Sequence, residues 1–122
     1  MANDFWATNF FFDASSADIL MEPAPAGQVL SGMPETGYIE LGIWSGQEVG
    51  VWEMSPGIMS DVEVDEVCVI LRGTGSVQRT IGGAAVQQEL KPGAVFELHE
   101  GEETIWTVSQ SVRKIYLSPA AS

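Results

Sequence analysis

Short runs rich in Val, Ile, Trp and Tyr, separated by Gly or Pro, recur along the chain from Tyr38 onward. Many short strands at near-regular spacing are typical of an all-β sandwich or barrel. Gly82-Gly83 suits a two-residue hairpin loop that needs positive φ, and Gly73-Thr74-Gly75 is interpreted as another turn. No segment predicts a long helix. The predicted strands are Tyr38–Trp44, Gln47–Met54, Glu66–Leu71, Ser76–Ile81, Ala85–Leu90, Ala94–Leu98, Thr104–Val108 and Val112–Leu117.

Residues 1–36 lack this pattern and carry several prolines and glycines that break regular structure. The segment nevertheless contains five aromatic residues, namely Phe5, Trp6, Phe10, Phe11 and Phe12. Each aromatic side chain can bury about 150 to 250 Å². We therefore expect residues 1–36 to form an arm that packs on its own barrel, residues 37–122, or on the barrel of a partner.

Composition narrows the range of partners and compartments. The chain has 122 residues, which favours one domain, and a formal net charge of −12, which would repel a nucleic-acid backbone. No apolar run approaches the roughly 20 residues that cross a bilayer, and the N-terminus has no signal-peptide pattern. A single cysteine, Cys68, agrees with a reducing compartment. We expect a cytoplasmic protein with neither nucleic acid nor membrane as a partner.

One segment carries a family resemblance. Asp65-Glu66-Val67-Cys68-Val69-Ile70-Leu71-Arg72-Gly73, followed by the Pro92-Gly93 turn and Phe96, resembles the cupin superfamily of small jelly-roll barrels. The resemblance is closest to the group that includes ureidoglycine aminohydrolase domains, and it spans roughly residues 38–118. It implies one RmlC-like jelly-roll barrel, often paired as a homodimer. The other matching pieces are Gly50-Val51-Trp52-Glu53, Pro56-Gly57, Gly101 to Trp106, and Val112-Arg113-Lys114-Ile115-Tyr116.

The resemblance also implies a metal site, which this sequence does not reproduce. Metal-bearing cupins use two His and one Glu from the first motif and a further His from the second, a ligand set that suits a divalent transition metal. The Glu position falls on Glu66, but the His positions fall near Met59, Asp61 and Thr104. We therefore expect no cofactor, and a divalent transition metal would need a non-standard site.

Glu66 is the leading candidate for a catalytic residue. It alternates with Cys68 and Ile70, and the resemblance points this face into the barrel, where desolvation would raise a carboxyl pKa and suit a general acid or base. The alternative is a structural ion pair with Arg113, Lys114 or a tyrosine. Because Arg113 and Lys114 are adjacent in one predicted strand, one points inward and the other outward.

For most of the remaining candidate residues, we favour a structural interpretation over a functional one. Cys68 is interpreted as an inert buried thiol rather than a nucleophile. His99 is interpreted as part of a solvated loop, although His suits proton transfer near neutral pH. The run of Asp61, Glu63, Asp65 and Glu66 predicts a solvated acidic turn rather than a calcium site. Trp44, Trp52 and Trp106 either line the barrel mouth or pack in the core.

These observations lead to three functional hypotheses. The first is a small-molecule-binding cupin whose ligand contacts Trp52, Glu66, Cys68, Thr104, Trp106 and Lys114. The second is a ureidoglycine aminohydrolase-like enzyme in which Glu66, Asp61 and His99 rebuild a metal site. The third is a non-catalytic dimeric interaction or regulatory protein. A polar pocket would favour the first two, and a filled dry barrel would favour the third.

Overall fold

Nine β-strands and one short 3₁₀ helix make up residues 11–120, the part of the chain that the computed structural model describes. All strand pairs are antiparallel, and the all-β prediction is confirmed. The strands are β1 (Glu22–Pro23), β2 (Val29–Ser31), β3 (Glu35–Trp44), β4 (Gln47–Met54), β5 (Gly57–Val62), β6 (Glu66–Ile81), β7 (Ala84–Leu90), β8 (Val95–Leu98) and β9 (Glu103–Pro119), and the 3₁₀ helix is Ala26–Gln28.

The last strand, β9, joins the two halves of the curled sheet. Its C-terminal half pairs with β4 on one edge and with the start of β6 on the other. Its N-terminal half pairs with β5 and with the end of β6. The arrangement is that of a jelly-roll barrel, in which long, bent strands take part in both halves. The prediction of an all-β jelly-roll barrel is thereby confirmed.

Two turn predictions had opposite outcomes. Gly82 and Gly83 form the β6–β7 hairpin loop with φ values of 60° and 82°, so that prediction is confirmed. The predicted turn at Gly73-Thr74-Gly75 is wrong, because these residues lie within the continuous strand β6. The register of β6 against β9 shifts between Arg72 and Thr74 and again between Thr74 and Gly75. The glycines therefore mark a bulged bend rather than a chain reversal.

The N-terminal segment contacts the barrel through Ala14 and later residues, whereas Phe11, one of the aromatic residues expected to be buried, is 74% exposed. The short strands β1 and β2 pair with β3 and β5. The guanidinium group of Arg113 donates hydrogen bonds to the carbonyls of Ala14, Ser15 and Ala17 at 2.9, 3.3 and 2.6 Å. The expected burial of Phe5, Trp6 and Phe10 concerns positions outside the described residues.

The core lies between the two halves of the sheet. It includes Met54, Met59, Cys68, Ile70, Val77, Leu90, Leu98, Trp106, Val108 and Val112. Inward and outward residues alternate along each strand, because side chains on a strand point to opposite faces in turn. Cys68 and Ile70, for example, are two successive inward residues of β6. Within residues 11–120, no helix has the length and apolar character required to span a bilayer.

Candidate functional site

A buried ion pair between Lys114 and Glu66 forms the centre of the candidate site. Lys114 Nζ donates to both Glu66 carboxylate oxygens, at 2.6 and 3.3 Å. The two side chains are only 6% and 10% exposed, so water screens the pair weakly. In the β6–β9 ladder, Lys114 lies opposite Ile70. Along β6, Ile70 is one inward position from Cys68 and two inward positions from Glu66. The predicted alternation is confirmed, because Lys114 faces the interior while Arg113 contacts the N-terminal segment.

Two indole rings flank the ammonium group of Lys114. Its Nζ atom lies 4.8 Å from the ring centroid of Trp52 and 4.9 Å from that of Trp106. Trp52 is the direct cross-strand partner of Lys114 in the β4–β9 ladder, which places both side chains on one face. These cation–π contacts and the Glu66 carboxylate fix the position of the ammonium group from several sides.

Glu63 is a second buried carboxylate, and it was misread from the sequence. Its side chain accepts hydrogen bonds from Thr104 Oγ1 at 2.6 Å and from Trp106 Nε1 at 3.0 Å. The backbone of Glu63 is also bonded to the β8–β9 turn, through Glu102 and Gly101. The predicted solvated acidic turn is therefore wrong for Glu63, which is 7% exposed.

Strand alternation was the signal that would have identified Glu63. Met59, Asp61 and Glu63 are spaced two apart, and Met59 is an apolar residue that the fold buries. The same spacing brings Asp61, at the end of β5, to the interior side of the barrel wall. Of the acidic run, Asp65 is exposed, whereas Asp61 and Glu66 are partly buried.

These residues surround an open cleft of about 370 Å³ bounded by β3, β4, β5, β6, β9 and the loop between β5 and β6. This volume lies within the range of about 300 to 1,000 Å³ that is usual for small-molecule sites. Its walls combine four carboxylates, one ammonium group, three aromatic rings and two valines. The lining residues are Tyr38, Glu48, Trp52, Asp61, Val62, Glu63, Val64, Glu66, Lys114, Tyr116 and Ser118.

The acidic surroundings perturb two ionisable groups in the cleft. Burial, and then the nearby Glu63 carboxylate, raise the pKa of Asp61 above its ordinary value. Burial also raises the pKa of Tyr116, with a further contribution from Glu48. The Tyr116 hydroxyl donates to Glu48 Oε1 at 3.4 Å. Both shifts have the direction expected where negative charge is crowded and partly desolvated.

The structure divides the six predicted ligand contacts into two groups. Trp52, Glu66 and Lys114 line the cleft. Trp106 and Thr104 lie behind its wall, 2% and 1% exposed, where their donors bind Glu63. Cys68 is fully buried in the core, and burial raises the pKa of its thiol to about 12, which disfavours the nucleophilic thiolate. This placement differs from the expectation that these three residues face the ligand.

The other candidates lie away from the cleft. Trp44 is 61% exposed at the end of β3, next to the β3–β4 turn. His99 is exposed in the turn after β8, where its backbone N–H donates to Glu102. Arg113, on the opposite face of β9 from Lys114, donates to Glu53 at 2.7 Å.

The residues present do not fit the standard cupin metal centre. Glu66, the one matching ligand position, binds Lys114, and an ammonium group in contact with a ligating carboxylate competes with a metal ion for it. Met59 and Thr104 offer no nitrogen donor, and Thr104 is bonded to Glu63. Within residues 11–120, no three His, Cys, Asp or Glu side chains are grouped so as to hold a metal ion.

The curled antiparallel barrel, with its open cleft bounded by β3, β4, β5, β6 and β9, has the architecture of a cupin jelly roll. Residues 36–116 match the family of EutQ-like cupin domains, and the chain belongs to that family. No curated protein matches the chain in sequence. The narrower resemblance to ureidoglycine aminohydrolase domains stays a prediction.

Solved structures with the same fold are distant in sequence. A putative ethanolamine utilization protein EutQ from Salmonella typhimurium LT2 is 22% identical with a TM-score of 0.55, over 70% of this chain and 71% of that one. The EutQ protein of Clostridium difficile is 19% identical with a TM-score of 0.57, over 73% and 71%. A DUF861-family protein of unknown function from Pseudomonas syringae pv. tomato is 22% identical with a TM-score of 0.67, over 86% and 45%. At these identities the likeness shows the fold alone.

Proposed function

We propose that this protein is a small-molecule-binding cupin whose binding site is built around the Lys114–Glu66 pair instead of a histidine-ligated metal. The observation that supports the proposal best is that both residues of this buried ion pair line a cleft of ligand size, beside the Trp52 ring. A barrel that served only as a packing body would gain more from apolar side chains at these positions, because buried ion pairs are seldom a net gain in stability.

The test is a screen of small-molecule fragments against isotopically labelled protein, with amide chemical shifts mapped onto the structure. We expect hits that change the amide chemical shifts of cleft residues such as Trp52 and Tyr116, and these changes should vanish in Glu66→Gln. The matched control is Glu97→Gln, which makes the same change at an exposed position outside the cleft. Fragments that bind only elsewhere, or bind Glu66→Gln equally well, would remove the cleft as the binding site.

A metal-dependent enzyme of the ureidoglycine aminohydrolase type is the competing proposal, and elemental analysis distinguishes it. Protein purified without chelator or affinity tag should contain far less than one transition-metal ion per chain, because the ligand positions fit none. Near-stoichiometric Mn, Fe, Ni or Zn would show a rebuilt site and favour the enzyme. Homodimer formation, a cytoplasmic location, and the absence of nucleic-acid and membrane partners stay predictions.

A further inference from the structure

The cleft carries more negative charge than its own cation can balance. Four carboxylates line it, those of Glu48, Asp61, Glu63 and Glu66, whereas Lys114 is the one positively charged side chain among its described lining residues. Lys114 lies within hydrogen-bond distance of Glu66 and so compensates that carboxylate first. The cleft is therefore left with an excess of three formal negative charges.

The other three carboxylates have neutral hydrogen-bond donors. Glu63 accepts from Thr104 and Trp106, Glu48 from the Tyr116 hydroxyl at 3.4 Å, and Asp61 from the Gln28 amide and the Val62 backbone N–H. Neutral donors satisfy lone pairs but do not cancel charge. The pKa of Asp61, which is raised by burial and then by the nearby Glu63 carboxylate, agrees with this.

An anionic ligand would find little to bind in this cleft. The ammonium group of Lys114 is held by Glu66 and covered by the rings of Trp52 and Trp106. A carboxylate or phosphate would have to displace Glu66 and approach the remaining carboxylates at the same time. Elsewhere, Arg72, Arg79 and Arg113 are also paired with carboxylates.

The mouth of the same cleft is apolar and exposed. Tyr38, Val62 and Val64 line it with 68%, 65% and 55% of their surface accessible, whereas Glu63 and Lys114, farther in, are almost fully buried. Exposed apolar side chains grouped at a cleft often mark a binding surface. The cleft thus presents an acidic interior beneath an apolar and aromatic rim.

Resting on the proposed function, we propose that the ligand is an organic cation, a protonated amine attached to a small apolar group. The ammonium end neutralises carboxylates of the interior, and the apolar end packs on Tyr38, Val62 and Val64. Donor N–H groups of an amine match carboxylate acceptors, and the attraction is strengthened by partial exclusion of water.

The experiment titrates matched probes that differ in charge and little in size: benzylamine, benzyl alcohol and benzoate, with butylamine, butanol and butyrate as an aliphatic set. Binding is followed by amide chemical shifts of cleft residues at neutral pH and low salt. The amines should bind at least about tenfold more tightly than their neutral and anionic counterparts, equivalent to roughly 1.4 kcal/mol. Added salt should weaken the amines selectively, because it screens charge.

Matched variants locate the effect. Asp61→Asn removes one cleft charge while keeping an acceptor oxygen, and it should weaken amine binding several-fold. Asp65→Asn removes the same charge from an exposed residue outside the cleft and should leave binding unchanged. Cleft binding by benzyl alcohol or benzoate that equals or exceeds that of benzylamine would overturn the cation proposal and leave the binding function standing. The absence of cleft hits in the whole fragment screen would overturn both.

Discussion

At the scale of single residues, the Lys114–Glu66 pair decides the character of the site. Each charge is desolvated by the barrel and is tolerated because the other lies within 2.6 Å. The two indoles give the ammonium group further stabilisation that a carboxylate alone would not supply. Removing one partner therefore differs in kind from removing both, since it leaves an uncompensated charge in the interior.

We expect Lys114→Met to lower the free energy of unfolding by about 3 to 5 kcal/mol, because Glu66 then stays buried without a counter-charge. Adding Glu66→Gln should recover a substantial part of that loss. Urea denaturation of the two single variants and the double variant measures the coupling. Arg72→Met is the control, since the Arg72–Glu53 pair is 52% exposed on the Arg side and should contribute less than about 1 kcal/mol. Additive effects at Lys114 and Glu66 would contradict the pairing.

For Asp61 we expect its contribution to the stability of the fold to depend on pH with a sign opposite to that of an ordinary ion-paired carboxylate. Its pKa is raised in the folded protein, so the ionised form destabilises the fold at neutral pH, and this penalty fades as the pH falls through the folded pKa towards the ordinary value of 3.8. Asp61→Asn keeps the acceptor for Gln28 and Val62. We therefore expect a higher melting temperature than the native protein at pH 7 and no advantage below pH 3.8.

Thermal melts of Asp65→Asn across the same pH range provide the reference. That variant removes one negative charge from an exposed side chain, so it reports the effect of net charge alone. If Asp61→Asn gains no more stability at pH 7 than Asp65→Asn does, the burial of Asp61 and its crowding by Glu63 have no energetic consequence.

At the scale of elements, the long strands β6 and β9 hold the barrel together where they cross from one half to the other. Gly75 lies where the two strands approach closely, because a Cβ atom there would clash with the carbonyl oxygen of Thr107. The neighbouring Gly73 has a φ of 112°, which other residues rarely adopt. Glycine is thus needed here to let one strand bend closely over another.

Gly75→Ala should lower the free energy of unfolding by about 1 to 3 kcal/mol or more, because the added methyl group meets backbone atoms that cannot move aside cheaply. Gly27→Ala is the matched control. A Cβ at Gly27 would have no neighbour within 4 Å, so we expect a change within about 0.5 kcal/mol. Urea midpoints measure both, and equal effects at the two positions would refute the close-approach argument.

The same glycines show how far the sequence predicts the elements. Strands such as Gln47–Met54 were predicted with the bounds that the structure has, because alternation and flanking turn residues agree there. Gly73 and Gly75 suggested a turn, since the local signal of a glycine does not distinguish a chain reversal from close strand packing. Strand β5 was not predicted, because Asp61 was interpreted with the acidic residues that follow it as a solvated turn and its alternation with Met59 was not considered.

The candidate site was predictable only in part, for a related reason. Sequence motifs placed Glu66 and Trp52 at the site and limited the inward cation to Arg113 or Lys114, and the β4–β9 register sets Trp52 opposite Lys114. Glu48, Asp61 and Glu63 join them through pairing between strands distant in the sequence. Strand alternation places Asp61 and Glu63 on one face, but only the folded barrel brings that face together with Glu48 on β4.

At the scale of the whole molecule, one buried arginine fastens the N-terminal segment to the last strand. Arg113 is 3% exposed, and its guanidinium group donates to Glu53 and to three carbonyl oxygens between residues 14 and 17. These contacts join parts of the chain that are 96 to 99 residues apart. Since the planar guanidinium group offers several donors in a fixed fork, lysine would not replace it.

We expect Arg113→Met and Arg113→Lys to release this segment while the barrel stays folded. Hydrogen exchange followed by mass spectrometry should show faster exchange in peptides covering residues 11–20, by about tenfold or more for a loss of at least 1.4 kcal/mol of local stability. Amides in the β6–β9 ladder should keep most of their protection. Arg72→Met is the control, because it removes the other cation bound to Glu53 without touching the carbonyls. Exchange that accelerates equally in the segment and in the ladder would mean that Arg113 supports the barrel as a whole rather than anchoring the N-terminal segment.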